Sequence, residues 1–240
     1  WWRPERALHD GVRIDDGILE GGEVTPFYDA MVAKLIVHGR DRDDAIRRLI
    51  ATLDDAPLLG LRNNARFLRD LVDHPTFRAG DMTTTLIDKW LEDGEPIMQR
   101  PVPPREAVLV AAAVHALRDA GEVAANRLRS ASVSGYGLKL SVDGTEHAVR
   151  VTPGLHGAVA ILPKDETQAA SLRVISHEAG EAGCELRYEL DDVRKKVLAV
   201  WADGALHVVM QSSTFVFSEV SPWPSQDQAN DPRRALSPVA

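Results

Sequence analysis

The stretch Tyr28-Asp29-Ala30-Met31-Val32-Ala33-Lys34-Leu35-Ile36-Val37-His38-Gly39-Arg40-Asp41-Arg42-Asp43-Asp44-Ala45-Ile46-Arg47-Arg48-Leu49 decides how this chain is read. Residues 31–38 are mostly aliphatic or β-branched, as in a strand, and Gly39 ends the run. Pro26, just upstream, fixes its own φ and favours a turn or an extended approach. Asp41 is placed to cap a helix, and Asp44 adds negative charge to its first turn. Ala45, Ile46, Leu49, Ile50 and Leu53 then recur at helical spacing, which gives that helix one apolar face. The pattern predicts a turn, a strand and an amphipathic helix that packs back on the strand.

Working outward, Val12-Arg13-Ile14 reads as a second strand, with Gly17 in the turn after it. Downstream, Asn63 or Asn64 offers a cap for a helix carrying Phe67, Leu68, Leu71 and Val72. His74-Pro75 should end it, because a residue before proline avoids the helical region. A last helix is expected over 83–91, with Thr83 or Thr84 as its cap. Residues 1–92 therefore form a mixed α+β unit. Residues 93–104 read as a linker, partly extended by Pro96, Pro101, Pro103 and Pro104.

Residues 106–119 predict one helix that is apolar on nearly all sides, and such a helix must be enclosed. The chain from 127 to 220 can enclose it, because it consists almost entirely of short strand patterns. These run over 138–142, 147–151, 157–162, 171–176, 184–189, 196–201, 206–210 and 214–219. Asp143-Gly144 and Asp203-Gly204 mark tight hairpins. Residues 105–221 are thus expected to be an antiparallel β-barrel or strongly curved sheet around one long helix, so the whole chain is α+β. Residues 222–240 turn polar and proline-spaced, as in another linker.

At 240 residues with 44 % apolar side chains, the chain has room for two ordinary domains and a real core. A net charge of -8 argues against a general nucleic-acid or anionic-membrane binder. The single cysteine, Cys184, excludes an internal disulfide and fits a reducing, cytoplasmic setting. No run approaches the ~18 apolar residues of a membrane span, and no signal-peptide pattern opens the sequence.

Residues 28–42, Tyr-Asp-Ala-Met-Val-Ala-Lys-Leu-Ile-Val-His-Gly-Arg-Asp-Arg, closely resemble the C-terminal lobe of biotin carboxylases. Three further blocks agree with that family in order and spacing. They are Gly11-Val12-Arg13-Ile14-Asp15-Asp16-Gly17, Gly60-Leu61-Arg62-Asn63-Asn64-Ala65-Arg66-Phe67-Leu68 and His74-Pro75-Thr76-Phe77-Arg78-Ala79-Gly80. Ala30 stands where the family usually has Pro, and Asn63-Asn64 where it often has Thr-Asn. Residues 105–221 resemble, in architecture and position, the domain that joins carboxylase to carboxyltransferase in propionyl-CoA and 3-methylcrotonyl-CoA carboxylases. The wording is nearest to 3-methylcrotonyl- or geranyl-type α subunits. The last six residues look like the first strand of a biotinyl carrier domain, whose attachment motif Ala-Met-Lys-Met is absent.

The resemblance implies an ATP-grasp ligase that uses ATP, Mg2+ and bicarbonate to carboxylate a ureido nitrogen of carrier-bound biotin, for transfer to an acyl-CoA. It implies an oligomer that works with a carboxyltransferase (beta) subunit and a biotinyl carrier domain of the same chain. It places one catalytic residue here, Arg13, whose guanidinium would stabilise negative charge on the ureido oxygen. The ATP loop, phosphate-binding lysines and magnesium-holding glutamates of the family would lie upstream of residue 1, so the chain reads as an excised middle piece. From the residues alone, an arginine on a strand most often makes a solvated ion pair. Lys34 is more simply the partner of a nearby carboxylate, and Asp29 shapes a turn. Thr84 is at best a weak nucleotide contact, and Arg40, Arg42, Arg47 and Arg48 with their aspartates are a charged outer helix face. The eight histidines lack metal-ligand spacing, and no nucleophile-elbow motif is present.

Two other readings differ in class. One is a non-catalytic interaction module that docks a carboxyltransferase subunit; the other is a component of an acetyl-CoA or urea carboxylase. Residues 105–221 weigh against the last pair, because the ordinary bacterial acetyl-CoA enzyme lacks such a domain and the segment is short for a urea carboxylase. Residues 1–240 alone are expected neither to cleave ATP nor to carboxylate biotin; bicarbonate-dependent ATP cleavage by this piece, followed as phosphate release, would refute that.

Overall fold

The structure is a computed structural model that describes residues 2–27, 29–124, 135–154, 157–161, 171–179 and 183–220. Its chain divides into two compact units, one formed by residues 1–103 with 209–215, the other by residues 104–208 with 216–240.

In the first unit a two-stranded antiparallel ribbon pairs β1 (Val12–Asp16) with β2 (Ala33–Val37). Helix α1 (Arg42–Asp55) packs behind β2 and turns Ile46 and Leu53 into the interior. Asp41 caps it as the sequence predicts, its carboxylate accepting from the Asp44 amide at 2.8 Å. Ile14, Ile18, Ala33 and Leu58 close over a small core of Trp2, Ala7 and Ala56. Gly39 is required where β2 meets α1: a Cβ there would stand 2.3 Å from the Ala45 nitrogen.

Helix α2 (Ala65–Asp73) follows, with Asn63 rather than the flanking Asn64 giving its side chain, at 3.1 Å from the Ala65 amide. His74 ends α2 but also starts α3 (Pro75–Ala79), which the expectation of a simple stop misses. Its Nδ1 accepts from the Thr76 amide at 3.2 Å, and its ring lies 4.4 Å from that of Trp90. Helix α4 (Leu86–Asp93) begins at Thr85, not Thr83 or Thr84, and that threonine makes no side-chain capping bond. Proline spacing does not keep residues 93–104 extended throughout. Pro96–Met98 form a 3-10 turn that buries Ile97, and Arg66 donates to the carbonyls of Ile97 and Gln99 at 3.1 and 2.6 Å.

The second unit begins with α5 (Arg105–Ala124), whose residues 107–116 are all buried. The surrounding sheet is a closed antiparallel ring in the order β10-β3-β4-β5-β6-β7-β8-β9. Its strands are β3 (Tyr136–Val142), β4 (Thr145–Gly154), β5 (Gly157–Ile161), β6 (Ser171–Ala179), β7 (Gly183–Leu190), β8 (Val193–Ala202), β9 (Ala205–Met210) and β10 (Ser213–Glu219). Helix α5 packs against β3, β4, β5, β6 and β7. Leu138, Leu140 and Val142 alternate inward along β3, as Leu186, Tyr188 and Leu190 do along β7. Each such aliphatic side chain contributes roughly 1.5–3 kcal/mol through burial.

Four hairpin turns have positive φ at both central residues: Asp143-Gly144, Asp191-Asp192, Asp203-Gly204 and Gln211-Ser212. This handedness matches the twist of the strands. The first and third are the two Asp-Gly turns read from the sequence; the other two contain no glycine. The expected linker and carrier-domain start over 222–240 lies outside the described residues.

One polar clamp ties α5 to the sheet. The Tyr188 hydroxyl donates to Glu106 Oε1 at 2.6 Å, and Lys195 Nζ donates to Glu106 Oε2 at 2.9 Å. Burial first, and then this hydrogen bond, push the Tyr188 phenol well above its ordinary value. A raised folded-state pKa gives stability that is complete below the unfolded value and lost at higher pH. Tyr188→Phe should therefore lower unfolding free energy by about 1–3 kcal/mol in urea titrations at neutral pH, and the gap between the two proteins should close above about pH 10.

Candidate active-site strand

The exposed face of the β1–β2 ribbon is built by strand alternation. In the antiparallel register Arg13 stands opposite Ile36, and Asp15 opposite Lys34, so these four share one face. Ile14, Leu35 and Ala33 alternate to the other side and are half-buried. The ladder runs on through the Gly17 amide, which donates to the Val32 carbonyl at 3.2 Å. Asp29 shapes the turn before β2, its carboxylate accepting from the Met31 amide at 2.8 Å.

Arg13 lies open to solvent, with 73 % of its side chain exposed. Its Nε donates to Asp15 Oδ1 at 2.7 Å, an i, i+2 pair along β1. That hydrogen bond is the largest cause raising the Arg13 pKa and the largest cause lowering that of Asp15; Lys34 adds a smaller downward pull on Asp15. Among the described residues, the two terminal nitrogens of Arg13 make no hydrogen bond, so they face outward as a paired donor edge.

What holds β1 in place was only partly visible in the sequence. Gly11 precedes the strand with φ +81°, and a Cβ there would lie 2.7 Å from the His38 carbonyl oxygen. The Gly11 carbonyl accepts from the His38 amide at 2.7 Å, which closes the ribbon end. Arg48 of α1 reaches this turn and donates to the Asp10 carbonyl at 2.6 Å. Arg48 is in turn held by Asp44, at 3.2 Å.

Asp44 corrects the reading of a plain charged outer face. Its side chain is 2 % exposed and pairs with Arg40, Arg47 and Arg48. The Arg40 amide donates to Asp44 Oδ2 at 3.0 Å. This backbone hydrogen bond is the largest cause holding the Asp44 carboxyl below its ordinary range, with the guanidinium charges adding to it. Arg42 leaves the cluster, stacking 5.0 Å from the Phe77 ring centre and donating to the Phe77 and Arg78 carbonyls.

The other residues weighed from sequence are not gathered around Arg13 by any recorded contact. Thr84 lies exposed in the turn before α4. Burial pushes the Cys184 thiol up, which makes it a poor nucleophile at neutral pH. Among the described residues no group of three His, Cys, Asp or Glu side chains is placed to hold a metal. No helix among them is long and apolar enough to cross a membrane. Asp15 is the ion-pair partner of Arg13 that the sequence reading did not name, although its i, i+2 spacing from Arg13 on a strand carried the signal.

An exposed ribbon closed by glycine turns and backed by a capped helix defines a small α+β lobe, and residues 3–89 match the family model of the biotin carboxylase C-terminal domain. The chain is 33 % identical over 158 residues to the mitochondrial propionyl-CoA carboxylase alpha chain of Caenorhabditis elegans, covering 59 % of this chain and 22 % of that protein. It is 42 % identical over 83 residues to a biotin carboxylase of Halalkalibacterium halodurans, covering 35 % and 18 %. It is also 42 % identical over 78 residues to the mitochondrial methylcrotonoyl-CoA carboxylase subunit alpha of Dictyostelium discoideum, covering 32 % and 11 %. The N-terminal unit is thus homologous to this domain of biotin-dependent carboxylases. The chain spans 22 % of the worm protein's length and less of the other two.

Asp44→Ala should lower the melting temperature at neutral pH, read by circular dichroism. A depressed folded-state pKa gives stability that is present above the unfolded value and lost as pH falls. The difference between the two proteins should therefore shrink below about pH 4.

Proposed function

We propose that this chain is part of the biotin carboxylase subunit of an acyl-CoA carboxylase, with Arg13 as its catalytic residue. The observation that carries the reading is the outward donor edge of Arg13, on a strand within the segment homologous to the biotin carboxylase C-terminal domain. A ureido oxygen carries two lone pairs, and the guanidinium N–H groups can converge on it as charge-assisted donors. When the adjacent ureido nitrogen gives up its proton, negative charge develops on that oxygen, and a fixed guanidinium stabilises it. When bound, biotin supplies the nitrogen that takes up the carboxyl group, and ATP with bicarbonate supplies the activated carboxyl. The groups that would hold ATP and Mg2+ are assigned to the rest of the protein.

Residues 105–221 are read as the domain linking carboxylase to a carboxyltransferase (beta) subunit, after residues 1–92 and a linker over 93–104. Residues 222–240 are read as leading into a biotinyl carrier domain. Support comes from the buried helix α5 and its ring of strands, and from names that include propionyl-CoA and methylcrotonoyl-CoA carboxylases among the relatives. The assembly is read as oligomeric, and the single cysteine, Cys184, as fitting a reducing, cytoplasmic setting. In the full natural protein, Arg13→Ala should slow biotin-dependent, bicarbonate-dependent ATP cleavage by about 10²-fold, while co-purification with the carboxyltransferase subunit is kept. Loss of co-purification with turnover intact would overturn the assignment.

A further inference from the structure

We infer that His74 is a pH-sensitive latch, holding α3 in place while its ring is neutral and releasing it when the ring is protonated. Pro75 keeps the residue before it out of the helical region, and His74 accordingly sits at φ -63°, ψ 138°. Pro75 also lacks an N–H, so the Thr76 amide is the first donor of α3 that needs an acceptor. Ser, Thr, Asp or Asn ordinarily meet that need with an oxygen. Here an imidazole meets it, with Nδ1 accepting from the Thr76 amide at 3.2 Å. A ring nitrogen accepts only while it carries no proton, so this contact belongs to the neutral ring with its hydrogen on Nε2. Nε2 lies 4.0 Å from Glu95 Oε1, and the ring packs 4.4 Å from that of Trp90 in α4.

Protonation reverses the contact. An imidazolium has two donors and no acceptor, so the Thr76 amide loses its partner while Glu95 and the Trp90 ring gain a cation. The charged groups on the other elements around His74 are engaged elsewhere. Asp73 and Arg78 pair at 2.7 Å, and Asp43 of α1 joins Arg78 at 3.3 Å. Arg66 and Arg69 of α2 are held by Asp70 and Asp54. Lys89 and Asp93 flank Trp90 in α4, and neither forms an ion pair with His74. Helix α3 in turn holds the start of α1: Arg42 donates to the Phe77 and Arg78 carbonyls and stacks 5.0 Å from the Phe77 ring centre. Loosening α3 therefore frees Arg42 as well, and one proton is felt two helices away.

The test is amide hydrogen exchange of the full natural protein, read by mass spectrometry over residues 74–81 and corrected for the intrinsic effect of pH on exchange. Between about pH 8 and about pH 5.5 the imidazole charges, and protection of this segment should fall about five- to tenfold, as for a lost helix cap. Protection of residues 49–53, in the body of α1, should stay the same. His74→Asp supplies a carboxylate acceptor that remains charged over this range, so its protection should be high and flat. His74→Leu supplies no acceptor, so its protection should be low at both ends. A wild-type segment equally protected at both pH values would overturn the latch. So would a pH step that survives in His74→Asp, full protection in His74→Leu, or a loss shared equally by residues 49–53.

Discussion

The first unit depends on one buried carboxylate. A carboxylate taken out of water is costly unless it is hydrogen-bonded and paired, and Asp44 meets both conditions through the Arg40 amide and three guanidinium groups. The same arrangement settles several features at once. It fixes the first turn of α1 against the end of β2, where only glycine fits at position 39. Through Arg48 it restrains the Asp10 carbonyl, and so the Gly11 turn from which β1 sets out. Strand alternation does the rest, carrying Arg13 and Asp15 to the open face.

Where a structural cause is local, the sequence displayed it. Asp41 announces the start of α1 because its side chain reaches an amide three residues on. The Asp-Gly turns are legible because glycine accepts positive φ without cost. Asp191-Asp192 and Gln211-Ser212 adopt the same geometry with side chains that resist it. There the pairing of the flanking strands imposes the turn, and no pattern within the turn reports it. Asp44 was misjudged for a similar reason: its burial comes from arginines folding over it, and a run of alternating charges looks identical whether it is solvated or closed. Arg13 was singled out through family resemblance, whereas its ion-pair partner Asp15 needed only the two-residue period of a strand.

The two units keep their polar chemistry in different places. In the first, charged groups are grouped at the surface and beneath a helix end, where they orient one another. In the second, one carboxylate, Glu106, joins the helix to two adjacent strands, and among the described residues the buried interior is otherwise apolar except for His115 and Ser213. The similarity to the worm carboxylase runs over 158 residues, more than the biotin carboxylase segment alone.

Helix α5 has a further consequence for how the protein is made. It leaves the ribosome before any strand that covers it, and its residues 107–116 are apolar all round except for His115. The ring closes only when β10, ending at Glu219, pairs with β3. At about 5–20 residues per second of synthesis, the wait amounts to roughly 5–20 seconds. For that interval the nascent chain displays an apolar rod with no home, so its yield in the cell depends on whatever shields that rod until the last hairpin arrives.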